Sequence, residues 1–187
     1  MTRSTYKPAT GRFLISEPFM SDQNFQRTVV LLVEHSAEGS LGFVINRQLD
    51  LTLDQLIEGL PAFQAPIFMG GPVEQNTLHY VHRLGTTFPG SHEIVHGVFW
   101  GGDFEHVKNQ IQLNLLSEDD ILFFVGYSGW GPGQLEDELD QKAWIVAPEN
   151  PSFIFQQSYD DLWRAILQSM APKYQIIANY PTDPRLN

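Results

Sequence analysis

Residues 28–47 read TVVLLVEHSAEGSLGFVINR, and the fold class turns on this stretch. Thr28–His35 is an apolar run that barely alternates, which fits a strand buried on both faces. Ser36–Ser40 is a turn cluster, and Leu41–Arg47 returns as a hairpin partner. A hairpin makes the first strong pairing antiparallel. Upstream, Arg12–Ser16 reads as a strand ended by Glu17-Pro18. Downstream, Ala65–Val73, Thr77–Gly85, Glu93–Gly102, Ile121–Tyr127 and Ala143–Pro148 read as further strands. Helices come between and after them. Thr52 caps LDQLIEGL, which Pro61 stops. Asp103 caps a helix through about Leu116, with Phe104, Val107, Ile111, Leu113 and Leu115 as its apolar positions. GQLEDELDQ and Ser158–Met170 complete the set. Strands in adjacent hairpins followed by interrupting helices predict an α+β fold rather than regular βαβ winding. The strand density predicts a curved, barrel-like sheet with helices packed on its outside. The 187 residues fit one domain spanning 1–187, with residues 1–10 and 179–187 as loose tails.

Charge narrows the partners. The formal net charge is −11 and only 11 residues are Lys or Arg, scattered along the chain. Nucleic-acid binding calls for a basic face that neutralises phosphates, so direct binding of that kind is disfavoured. Cysteine is absent, which removes disulfides and thiolate metal ligands. No apolar core follows the charged N-terminal stretch as in a secretory signal, and Val29–Val33 and Ile121–Val125 are far too short to span a bilayer. The expectation is a cytoplasmic protein without a membrane segment.

Gly126–Leu139 reads GYSGWGPGQLEDEL, with the order of a phosphate loop: strand, glycines, helix. Its glycines form neither G-x-G-x-x-G nor a Walker loop, and no lysine follows. Glu136, Asp137 and Glu138 suit the positive end of a helix but repel phosphate there. A nucleophile elbow needs G-x-S-x-G, and here Trp130 stands where the last glycine belongs. Ser128 therefore reads as a turn residue. Leu135 and Leu139 set a buried stripe, with Glu136 and Glu138 on its two flanks. One of those carboxylates is placed to fold back and cap loop N–H groups, and Trp130 needs a partner for its indole N–H.

His92-Glu93-Ile94-Val95-His96 is a literal H-E-x-x-H, the string of zinc hydrolases. That chemistry needs both histidines on one helical face. Pro89-Gly90 before it and Gly97 after it, with β-branched residues between, predict a strand. There the two rings sit ~13 Å apart at ~3.3 Å per residue, too far to share one metal. His79 and His82 fall on opposite faces of an alternating strand. No cofactor is expected.

Taken together, Pro18–Asp22 with Phe25 and Thr28-Val29, then Gly42–Arg47, then Gly70–Val73, then Gly126–Leu139 resemble the AlgH family of uncharacterised proteins over nearly the whole chain. The resemblance implies an α+β fold with a bifurcated, pseudo-barrel sheet. The family often carries alanine at the position of Ser128, which counts against a serine nucleophile. Its name implies a link to transcriptional regulation without a mechanism. No helix-turn-helix or basic groove accompanies it here, so such a role would run through a protein partner.

Two functional expectations follow, beside the reading that these motifs define only the fold. The first is a non-catalytic interaction or regulatory protein. Its binding face would include Gly70, Gly71, Pro72, Tyr127, Trp130 and Gln134, with Glu136 and Glu138 beside them. The second is an enzyme whose polar site is assembled from Asp22, Arg27, Asn46, Glu136 and Glu138.

Overall fold

The computed structural model describes residues 6–85, 88–156 and 158–181. Nine strands make one sheet: β1 (Phe13–Ser16), β2 (Val29–Ser36), β3 (Gly39–Val44), β4 (Ile67–Met69), β5 (Val73–His82), β6 (His92–Val95), β7 (Val98–Trp100), β8 (Ile121–Trp130) and β9 (Trp144–Ala147). Five helices accompany them: α1 (Leu53–Leu56), α2 (Phe104–Gln112), α3 (Gln134–Asp140), α4 (Leu162–Ser169) and α5 (Pro172–Ala178). The order is β6-β7-β5-β8-β3-β2-β1-β9, with β4 against β8, and the sheet does not close on itself. The α+β expectation holds. No helix among the described residues is long and apolar enough to cross a membrane.

The 28–47 hairpin forms as β2 and β3, antiparallel, with Val30 opposite Val44 and Leu31 opposite Phe43. Val29–Val33 are buried, as an inner strand covered on both faces requires. Alternate residues feed different cores. Val29, Leu31 and Val33 join Phe43 under α4 and α5, while Val30 and Leu32 join Trp130, Leu135 and Trp144 under α3. A third core, built on Tyr80, Ile121 and Phe123, is closed by Leu53 of α1 and by Val107 and Ile111 of α2.

The bifurcation lies on β8. Its first half runs between β5, antiparallel, and β4, parallel. Its last residues, Ser128–Trp130, pair with β3 instead. Gly70 stands at the split: its N–H donates to the Val125 carbonyl, and its own carbonyl accepts from Val44 N–H and Ser128 Oγ. Gly71 lies directly on the Tyr127–Ser128 peptide, where a Cβ would collide with the backbone. Gly126 has φ +68° inside β8, a conformation that costs glycine little. Gly126–Trp130 is therefore strand and not loop. The strand expected over Ile121–Tyr127 runs on to Trp130.

Other local expectations shift. α1 is one turn, because Ile57 is already extended. Glu93–Gly102 is a hairpin and not one strand, since Gly97 takes φ +78° and folds β7 back onto β6. α2 stops at Gln112, and Leu113 and Leu115, expected on its buried stripe, are 65% and 67% exposed. α5 was absent from the sequence reading; Pro172 at its start ends α4 and opens a new helix. Of the expected tails, residues 1–5 and 182–187 lie outside the described residues. Within them, Tyr180 stacks on Phe19 with ring centroids 6.0 Å apart.

The split sets a stability expectation. Gly71→Ala should lower unfolding free energy by about 3 kcal/mol or more, the upper range for overpacking against atoms that cannot move aside. Urea denaturation measures it. A loss below about 1 kcal/mol would mean the β4–β8 approach is loose.

Candidate functional site

The glycine-tryptophan motif folds into a closed cluster. β8 delivers Trp130, Gly131–Gly133 turn the chain, and the first turn of α3 brings Gln134 beside the loop. Gln134 Oε1 accepts the Gly131 N–H at 3.0 Å, so the glutamine does the capping that the sequence assigned to a glutamate. Glu138 instead accepts both indole N–H groups on Oε2, from Trp130 at 2.9 Å and Trp144 at 2.7 Å. Its Oε1 takes Gln134 Nε2 at 2.9 Å. The two indoles meet edge to face, and Phe25 packs on both.

Burial divides the expected binding face. Trp130 is 6% exposed, and Gly70 and Gly71 are buried within the sheet. Pro72, Gln134 and Glu136 are exposed, and Tyr127 is half-buried against His79. Glu136 lies 3.8 Å from His35, on the outer side of α3. The motif that looked like an aromatic loop thus presents little aromatic surface.

Of the five polar residues of the enzyme alternative, Asp22, Asn46 and Arg27 hold backbone, Glu138 holds the two indoles, and Glu136 stays exposed. Asp22 Oδ1 accepts the Asn24 N–H at 2.8 Å. Asn46 is a clamp and not a turn residue: Oδ1 accepts from Val29 N–H and Nδ2 donates to the Arg27 carbonyl. Arg27 donates to the Tyr180 and Pro181 carbonyls at 2.7 Å and stacks over Trp163. Together with Glu138 under its tryptophans, these groups are committed to the fold. The His-Glu string is likewise absorbed by the β6–β7 turn, where Glu93 accepts the Gly97 N–H at 2.9 Å. Among the described residues no group of three or more His, Asp or Glu is arranged to hold a metal.

His82 and Ser91, nine residues apart in the chain, meet at 3.1 Å. Leu84 N–H points at His82 Nδ1, which fixes the proton on Nε2, aimed at the Gly101 carbonyl. Nε2 therefore has no lone pair with which to activate Ser91, whose hydroxyl donates to the Phe88 carbonyl. Burial lowers the His82 pKa below 6.5, against a smaller upward pull from the Gly101 carbonyl.

A different feature has the character of a binding surface. Beside β5, a groove of about 550 Å³ is lined by Ile57, Leu78, His79, Tyr80, Gly90, His92, Trp100, Gly101, Gly102 and Phe104. Clefts beside Arg83 and Ser40 are smaller, about 200 and 190 Å³, with more polar than apolar wall. The groove has the size and apolar lining of an ordinary recognition site. Tyr80 OH donates to the Gly102 carbonyl at 2.6 Å, and burial with Asp103 nearby pushes its pKa up to about 12. Burial lowers the pKa of His79, opposed by Glu74. Near neutral pH, the His79 and Tyr80 rings are uncharged. Sequence reading missed this site because its residues come from four separate segments. The available signal was aromatic and histidine residues crowded into TLHYVH and VFWGG.

Two expectations follow. Replacing Glu138 with Ala strands two indole donors and should cost about 1–3 kcal/mol, read by denaturation with tryptophan emission; full stability would mean water replaces the carboxylate. His82 is neutral when folded, while the unfolded chain takes up a proton below pH 6.5. Stability is then complete above that value and declines as pH falls through it. Melting temperatures from pH 7 to 5.5 should show this slope, and His82→Gln should flatten it. An unchanged slope in the variant would remove His82 as the cause.

Comparison with known proteins places these features. The family profile described as DUF179, AlgH-like, matches residues 13–175. A UPF0301 protein of Cytophaga hutchinsonii is 43% identical over 178 residues, covering 95% of this chain and 98% of the relative. One from Chlorobium luteolum is 38% identical, covering 96% and 95%. The solution structure of the AlgH protein from Pseudomonas aeruginosa is similar at a TM-score of 0.73 and 29% identity, covering 97% of this chain and 99% of that one. A crystal structure from Corynebacterium diphtheriae, at 24% identity and a TM-score of 0.77 with coverage of 96% and 95%, shares the fold.

Proposed function

This chain belongs to the AlgH-like family, and from that premise we propose that it is a non-catalytic protein that binds a segment of a partner protein in the groove beside β5. One contrast carries the reading. Four of the five polar residues that could make an enzyme are spent on holding backbone or indoles, while the aromatic wall of the groove is left open to a ligand. This moves the interaction face away from the glycine-tryptophan motif, which closes the fold. A regulatory role of the kind the family name carries would then act through the bound partner, in the cytoplasm, with no contact to nucleic acid. The acidic balance of the chain supports that exclusion.

The test is selection of a random 12-residue displayed peptide library on the folded protein, followed by resonance mapping of the recovered peptides. They should perturb Leu78, His79 and Phe104. Phe104→Ala should weaken them at least tenfold and Gln134→Ala should leave them unchanged. Mapping to Gln134 and Glu136 instead would return the face to the glycine-tryptophan motif. Recovery of no peptide, with a nucleotide or metabolite raising the melting temperature, would favour a small-molecule protein.

A further inference from the structure

β5 has ten residues, yet β7 pairs with only Val81 and His82. Beyond them the chain leaves the sheet at Gly101-Gly102, and the groove occupies the vacated lane. The direction of the β5 backbone groups can be read from its neighbours. The Tyr80 carbonyl accepts the Gly101 N–H at 3.1 Å, so Tyr80 faces the β7 side. Leu78 is two residues away and turns its N–H and carbonyl to the same edge. It sits opposite Val125, whose own carbonyl is turned the other way, to Gly70. No strand among the described residues pairs with Leu78 on that edge. A sheet edge whose Leu78 N–H and carbonyl pair with no described strand, along an apolar groove, is the geometry of peptide recognition by strand addition.

Charge specifies the sequence that would lie there. Glu74 lies on β5 four residues before Leu78, and Asp103 follows the lining residue Gly102; both carboxylates are exposed. The nearby cation Lys108 already pairs with Glu105. The rim is therefore acidic and the floor apolar.

Resting on the peptide-binding reading above, we propose that the groove takes its partner as an added β-strand on β5. The partner segment is extended, sets one large apolar side chain against Tyr80 and Phe104 on one face of the sheet, and carries Lys or Arg on both flanks to meet Glu74 and Asp103. Backbone hydrogen bonds to Leu78 fix the register, and the rim fixes the charge.

The experiment uses the peptides selected on the full chain, resynthesised with single backbone N-methyl groups, together with a Leu78→Pro variant. Proline removes an N–H that points out of the sheet, so the β8 ladder is kept, and Leu78→Ala controls for the lost side chain. Selected sequences should combine an apolar anchor with basic flanks. N-methylation at alternate positions should weaken binding tenfold or more, Leu78→Pro should do the same, and Glu74→Gln should reduce the salt dependence. Amide exchange at Leu78 should slow in the complex, a readout that survives even if the proline variant misfolds. Peptides that bind in the groove with no N-methyl sensitivity and no slowing at Leu78 would overturn strand addition while leaving the groove as the binding site. Acidic or helical selected sequences would overturn the proposal in the same way. Failure of any peptide to perturb the groove would remove both readings.

Discussion

The fold depends on how closely two backbones approach. Gly70 and Gly71 lie on β8 with no room for a side chain, and this contact lets one strand serve β4 and β5 over its first half and β3 over its end. A Cβ at either position would meet main-chain atoms, which have no rotamer to retreat into. From that split the sheet divides into a part covered by α3, α4 and α5 and a part covered by α1 and α2. Ser128, expected in a turn, is fully buried there and gives its hydroxyl to the Gly70 carbonyl. A serine that reads as a candidate nucleophile is a pin between strands.

The division separates the jobs of the two parts. In one, polar side chains are consumed in fixing irregular chain: Asn46 and Arg27 hold the segment before β2, and Arg47 donates to the Gln23 and Gln26 carbonyls. In the other, β7 ends early and leaves β5 uncovered beside aromatic side chains. Buried polar groups must find partners, so their satisfaction says little about chemistry. An unshared strand edge is the less common observation, because such edges invite association unless something covers them. That asymmetry is the reason for placing recognition at β5.

The sequence was most legible where a local signal was sufficient. The hairpin of β2 and β3 was readable from an apolar run, a turn cluster and a second run. Asp103 was readable as a cap and accepts from the Glu105 N–H as expected. Legibility failed where a distant contact decided. The tripeptide Ser128-Gly129-Trp130 has the composition of a turn, yet pairing with β3 draws it into a strand. Glu138 binds Trp130 and Trp144, on two different strands, and helical periodicity alone could place the carboxylate only at a boundary. The short His96-Gly97 turn was hidden because both flanks have strand character. The groove was unreadable for a similar reason: Ile57, Tyr80, Trp100 and Phe104 become neighbours only after the sheet forms.

The shared acceptor at Glu138 also bears on how such a chain can change over generations. Trp130, Trp144 and Glu138 are one hydrogen-bonded unit spread over β8, α3 and β9. Losing the carboxylate penalises both indoles at once, whereas with one indole already replaced by phenylalanine the same loss strands a single donor. Effects at contacting positions like these do not add. The three sites are therefore bound by epistasis, and lineages should exchange them as a set, in an order that removes a tryptophan before its acceptor.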